Sequence, residues 1–126
     1  MSLVDARLEC SDAQALTASA DSTNVIDLTG TALQVGAGRP LYMHFNVTVA
    51  ADFTTGDETY SFGVATGAAT SLGTVLASRA IVAGTLVAGY NFSIAVPSTG
   101  VLRYIGAEYV LAGTSPTITV DAYLSD

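Results

Sequence analysis

Few side chains in this sequence could do chemistry. His44 is the single histidine and Cys10 the single cysteine. One histidine cannot build a three-histidine metal site within one chain. A Ser-His-Asp arrangement would need that same residue, and no Gly-x-Ser-x-Gly elbow runs into a helix. His44 falls in mid-strand, with Asn46 and Ser61 expected near it, and reads as a surface or intersubunit residue. Cys10 reads as a small, partly buried hydrophobe rather than a nucleophile or an intermolecular bridge. Being alone, it forms no intrachain disulfide and indicates no redox compartment. Asp52, Thr55, Asp57 and Glu58 could gather oxygens for calcium. They lack the spacing of a calcium-binding helix-loop-helix, and the segment reads as a solvated turn. Asp57 and Glu58 are adjacent, so on a strand they would face opposite sides, which disfavours a paired-carboxylate site. No phosphate-cradling glycine loop leads into a helix. No catalytic, cofactor-binding or metal-binding residue is assigned.

The elements around these residues read as strands. Leu41, Met43, Phe45, Val47 and Val49 alternate with Tyr42, His44, Asn46 and Thr48, the period of a strand. Tyr60, Phe62 and Val64 resume the alternation after the polar run 52–57, so residues 41–65 read as a β-hairpin with one apolar face. A slip of one residue would turn Phe45 and Phe62 to solvent, so the register is well specified. Val25, Ile26 and Leu28 mark a short strand, followed by a Gly36–Pro40 loop. Further strands are expected at 74–82, 90–96, 101–111 with a bulge or bend at Gly106, and 118–124. Residues 1–22 are the least regular. Ser11 or Asp12 could cap a helical turn, but an extended arm is preferred. Its Leu3, Val4, Leu8, Cys10 and Leu16 are too apolar for a free tail. About eight short strands with turn signals between them predict an all-β chain. The expected fold is an antiparallel β-sandwich, better fitted by a jelly roll than by a meander, with an N-terminal arm at 1–22 and a single domain over 1–126.

Composition narrows the partners. The chain has 126 residues, half of them hydrophobic and 12% charged, with four Arg, no Lys, and eleven acids, for a net charge of −7. It is long enough to bury a core without staples. There is no basic stripe for phosphates, so no nucleic acid is expected as a partner. Anionic membrane surfaces are disfavoured, no apolar run approaches the length of a membrane span, and the first residues do not read as a secretory signal. The two Asn-x-Ser/Thr triplets, at Asn46 and Asn91, fall in strands and read as chance matches. Arg39, Arg79 and Arg103 read as solvated or locally paired. Glu108 would share a face with Arg103 only if Gly106 formed a bulge. The tyrosines, at 42, 60, 90, 104, 109 and 123, suit interfaces but read mostly as half-buried sandwich residues.

Several short motifs carry a family resemblance. Asp12-Ala13-Gln14-Ala15-Leu16-Thr17-Ala18, the segment Ser22 to Leu28, Gly36-x-Gly38-x-Pro40-Leu41-Tyr42 and Thr54-Thr55-Gly56-Asp57-Glu58-Thr59-Tyr60 occur in order. Leu76-Ala77-Ser78-Arg79 and Gly113-Thr114-x-Pro116-x-Ile118-Thr119-Val120 follow. Over nearly its whole length the chain resembles the capsid cement proteins of tailed phages, the family typified by the cement protein of a short-tailed Bordetella phage. The resemblance implies a non-enzymatic jelly roll made in the bacterial host cytoplasm. It would bind the exterior of an icosahedral shell and bridge major capsid protein subunits. A homodimer is expected, with a trimer as the alternative, and no cofactor. The competing class is a carbohydrate- or ligand-binding β-sandwich, for which Tyr60 beside Asp57 and Glu58 is the one weak site. An enzyme comes third.

Overall fold

The computed structural model describes residues 8–28, 41–97 and 100–125. The expected Gly36–Pro40 loop, Arg39, and Leu3 and Val4 of the arm lie outside the described residues. The strands are β1 (Glu9–Leu16), β2 (Ala20–Asp21), β3 (Ile26–Asp27), β4 (Tyr42–Val49), β5 (Thr59–Gly67), β6 (Thr74–Ile81), β7 (Asn91–Ala95), β8 (Tyr104–Ala112) and β9 (Ile118–Ser125). One sheet has the order β1-β9-β4-β7 and the other β2-β8-β5-β6, with β3 also on β8. All pairings are antiparallel. β2 meets β8 at Tyr109 and β3 meets it at Ile105, while β5 follows the opposite edge of β8 from Ala112 to Tyr104. β2 and β3 are therefore two pieces of one strand position. Among the described residues, eight positions in two four-stranded layers, with the chain crossing repeatedly between them, make the expected jelly roll.

The core lies where the inward faces meet. Phe45 of β4 stacks on Phe92 of β7 at 4.9 Å and meets Phe62 of β5 at 5.7 Å and Tyr109 of β8 at 6.2 Å. Those four rings tie the two sheets together, and Met43, Val47, Val64, Ile105 and Val120 fill the space around them. The predicted alternation holds across β9, with Ile118, Val120, Ala122 and Leu124 buried and the residues between them half-buried, and in β4 for Met43, Phe45 and Val47. Val49, expected on the same inward face, is exposed where the β4–β9 register shifts.

Three expectations need correction. Residues 41–65 are not a hairpin: β4 pairs with β7 and β9, β5 with β6 and β8, and the two lie in opposite sheets. Two runs with one apolar face each can cover one another, and crossing between layers buries Phe45 directly against Phe62. A hairpin would leave both rings awaiting a third element.

The expected arm, and the helical turn within it, give way to β1 and β2 across residues 9–21. Cys10 and Leu16 are core residues. Two register shifts against β9 interrupt β1, and Ala13 has φ +48°. Bulges of this kind break the period-2 signal and hide a strand from a pattern search. Ser11 is turned inward as a result. It donates to Gln14 Oε1 at 2.6 Å, which leaves the Tyr109 hydroxyl to donate to Ser11 Oγ at 2.7 Å.

Gly106 carries no bulge, because the β5–β8 register runs unbroken from Thr59↔Ala112 to Gly67↔Tyr104. Glycine is required by close approach instead: a Cβ there would lie 2.8 Å from Leu72 Cδ1 and 2.9 Å from Ser22 Oγ. Leu72 folds over the outside of the sheet at this point and is itself buried.

Candidate functional site

The residues singled out for chemistry are scattered. Cys10 is sealed in the core, where burial pushes its thiol up to about 12 against the opposing hydrogen bonds of Ser22 and Ala107. A thiol held neutral in this way is a poor nucleophile. His44 sits on the outer face of β4, half-buried, stacked on Tyr123 at 5.1 Å with Tyr42 at 6.1 Å. Asn46 shares that face and donates to Asp121 at 3.4 Å. Ser61, expected near His44, belongs to the other sheet. Arg103 makes a two-pronged ion pair with Asp27 at 2.9 Å. Arg79 lies on the edge strand β6 with its guanidinium 5.9 Å from the Phe92 ring centre. Glu108 faces Asp21 across β2–β8, and burial, then that neighbouring acid, raises its pKa.

The acidic segment is a structural device at one end of the sandwich. The connections 50–58, 82–90 and 113–117 meet there. Asp57 accepts from the Thr114 amide at 3.0 Å and the Thr114 hydroxyl at 2.8 Å. Glu58 accepts from the amides of Thr55 and Gly56 at 3.2 and 2.9 Å, and from the Thr55 hydroxyl. These bonds hold both carboxyls below the usual carboxylate range, through Thr114 for Asp57 and chiefly the Thr55 hydroxyl for Glu58. Asp52 accepts from the Thr54 amide at 3.1 Å. The carboxylates weighed for calcium thus serve separate hydrogen-bond sets, and among the described residues no group of three metal-binding side chains gathers.

Backbone bonds knit the same end together. Asp52 N donates to Thr117 O and Ala51 N to Leu86 O, both at 2.9 Å. The Tyr60 hydroxyl donates to Asp52 O at 2.6 Å and accepts from Thr117 N at 3.1 Å. Gly113 (φ +101°) abuts the 50–58 loop so closely that a Cβ would lie 2.4 Å from Asp57 O. The Tyr60 ring is 1% exposed, so it is no platform for a sugar.

What this end displays is apolar. Val82 is 77% exposed and Phe53 55%; Val49 and Val87 are also exposed, on segments that lie alongside each other at residues 47–51 and 86–90. Phe53, Ile81, Val82 and Ala83 line a groove of about 430 Å³ floored by Tyr60 and flanked by Glu58. Of the large apolar groups exposed among the described residues, only Val75 and Val110 lie elsewhere, on β6 and β8. Clustered apolar groups on a rigid support mark contact surfaces. Periodicity puts Val49 on an inward face and Val82 at the end of a strand and does not single out Phe53 or Val87, although an apolar residue shortly before a turn glycine (Phe53 before Gly56, Val82 before Gly84, Val87 before Gly89) is a readable signal.

The fold and this surface define a small jelly-roll protein with exposed apolar groups on interlocked loops. The Bbp16 family model, which describes a Bordetella phage protein family, matches residues 10–124. The chain belongs to the Bbp16 family, and the family supports a phage structural protein and virion component. No curated protein matches the chain. Among the described residues no helix is long and apolar enough to cross a membrane.

Proposed function

We propose that this chain is a capsid cement protein that binds the outside of the icosahedral shell and stabilises it by bridging major capsid protein subunits, without enzymatic activity. The observation that carries this reading is the match to a phage family across residues 10–124. The jelly roll supports it as a rigid body that loses little entropy on docking, and repeated copies on a shell gain from multivalency. Dimers would add a second foothold each. A homodimer, with a trimer as the alternative, accordingly belongs to the proposal. The carbohydrate-binding reading loses its one site with the burial of the Tyr60 ring.

Mixing the purified chain with heads that lack it, then pelleting the heads, tests the reading. Saturable co-pelleting that raises the heads' resistance to heat or chelator is expected. A chain left in the supernatant at micromolar concentration would remove it. Light scattering tests the assembly state: twice the 12.8 kDa chain mass is expected, and a strictly monomeric mass would overturn the oligomer.

A further inference from the structure

We infer that the interlocked-loop end is the capsid-facing surface, and that its groove takes an apolar side chain from a basic-flanked segment of a different polypeptide. This inference rests on the cement reading and adds to it the face and the chemistry of the partner. Phe53, Val82 and Val87 project from loops whose backbone is fixed by bonds among residues 51, 52, 86 and 117. A partner side chain entering between Phe53 and Val82 would therefore meet a preformed wall, at little ordering cost.

Charge decides what that partner is. Asp52 and Asp57 belong to the same 50–58 loop as Phe53, the buried Glu58 flanks the groove, and hydrogen bonds keep Asp57 and Glu58 ionised well below neutral pH. No described arginine belongs to these loops: Arg79 lies over Phe92 and Arg103 is bonded to Asp27. Two copies meeting through this end would oppose Asp52 and Asp57 to their own counterparts with no described cation in these loops, in a chain of net charge −7. Like-charge juxtaposition of that kind suppresses self-association. A segment carrying Lys or Arg on either side of an apolar residue satisfies both the groove and its rim.

The test uses the full chain and heads that lack it. Val82→Asp places a charge at a highly exposed position outside the core, and Phe53→Ser removes the opposite wall. Val110→Asp on the β8 face is the control. Co-pelleting is expected to weaken at least tenfold for Val82→Asp and severalfold for Phe53→Ser, with Val110→Asp unchanged. Wild-type binding is expected to fall as salt rises from 50 to 300 mM, because the rim charges are screened. Circular dichroism melts of each variant identify any loss of fold, and Phe53→Ser carries the test should Val82→Asp not fold. Wild-type binding with both variants equally bound would overturn the inference while leaving the cement reading standing. Variants that bind heads normally but lose the oligomeric mass would make the occupant a second copy and overturn it too. Failure of the wild-type chain to bind heads would overturn the cement reading itself.

Discussion

Removing the Phe45 ring should be the most damaging single truncation in β4. Phe45 is 1% exposed and touches the rings of Phe62, Phe92 and Tyr109 across both sheets. Truncating a buried Phe to Ala costs about 3–5 kcal/mol through lost transfer energy and the residual cavity. The upper half of that range applies here, because the three aromatic neighbours are held by strands in both layers and cannot collapse far into the hole. Domains of this size have total stabilities of roughly 5–15 kcal/mol, so Phe45→Ala should lower Tm by roughly 10–20 °C. His44, one residue away, lies on the outer face between Tyr42 and Tyr123. His44→Ala should cost less than about 1.5 kcal/mol, since it loses only two ring contacts on a half-buried outer face. Urea melts of the two variants measure the difference directly. Equal losses, or a Phe45→Ala cost below about 1.5 kcal/mol, would refute the placement of the core between β4 and β5.

Other consequences concern the loop end, the thiol and β1. Gly113→Ala should destabilise by about 2 kcal/mol or more, since it combines a left-handed φ with an overlap on the backbone of Asp57 and Glu58; a melt equal to wild type would show that the loops are not interlocked. Burial raises Cys10 from 9.0 to about 12, so the native state holds its proton longer than the unfolded chain. That contribution is complete below pH 9 and is lost at about 1.4 kcal/mol per pH unit above it. Cys10→Ala should therefore flatten the Tm profile between pH 9 and 10, and parallel profiles would contradict the burial of the thiol. Asp57 and Glu58 act in the opposite sense, stabilising above their unfolded values of 3.8 and 4.5 and fading as pH falls through their lower folded values. Asp57→Asn should weaken the acid dependence of unfolding as pH falls below 3.8, which a pH series of melts would read. Deleting residues 2–18 removes β1 from the edge of β9 and should abolish folding; a truncated chain with a native circular dichroism spectrum would show β1 to be dispensable.

How much of this was legible depended on the regularity of each strand. β4 and β9 alternate regularly, so their faces could be read from the sequence and hold in the structure except at Val49, where a register shift turns the end of β4 to solvent. β1 could not be read, because its bulges put Cys10 and Ser11 inward together and leave Ala13 in a left-handed conformation. The 41–65 hairpin failed for a different reason. Alternation fixes which side chains share a face but not which sheet receives the strand, and a nine-residue link (50–58) reaches the opposite layer as readily as the same one. Gly106 marked something real, a close approach, but Leu72 and Ser22, which crowd it, are 34 and 84 positions away in the sequence. Asp57 looked like a possible ligand because its partner Thr114 is brought near only by the β8–β9 turn, while Asp52 and Glu58 accept from amides of their own loop. The apolar loop residues were overlooked because apolar residues are expected inside, and only the packing shows Val82 and Phe53 facing solvent.

The most direct test of the central claim is quantitative co-pelleting of the wild-type chain with heads that lack it, read as bound copies per head against free concentration. The cement reading predicts a saturating curve whose plateau is a fixed multiple set by the shell's symmetry, together with a higher melting temperature of the loaded heads. A linear, unsaturable curve or heads whose melting is unchanged at full loading would contradict it.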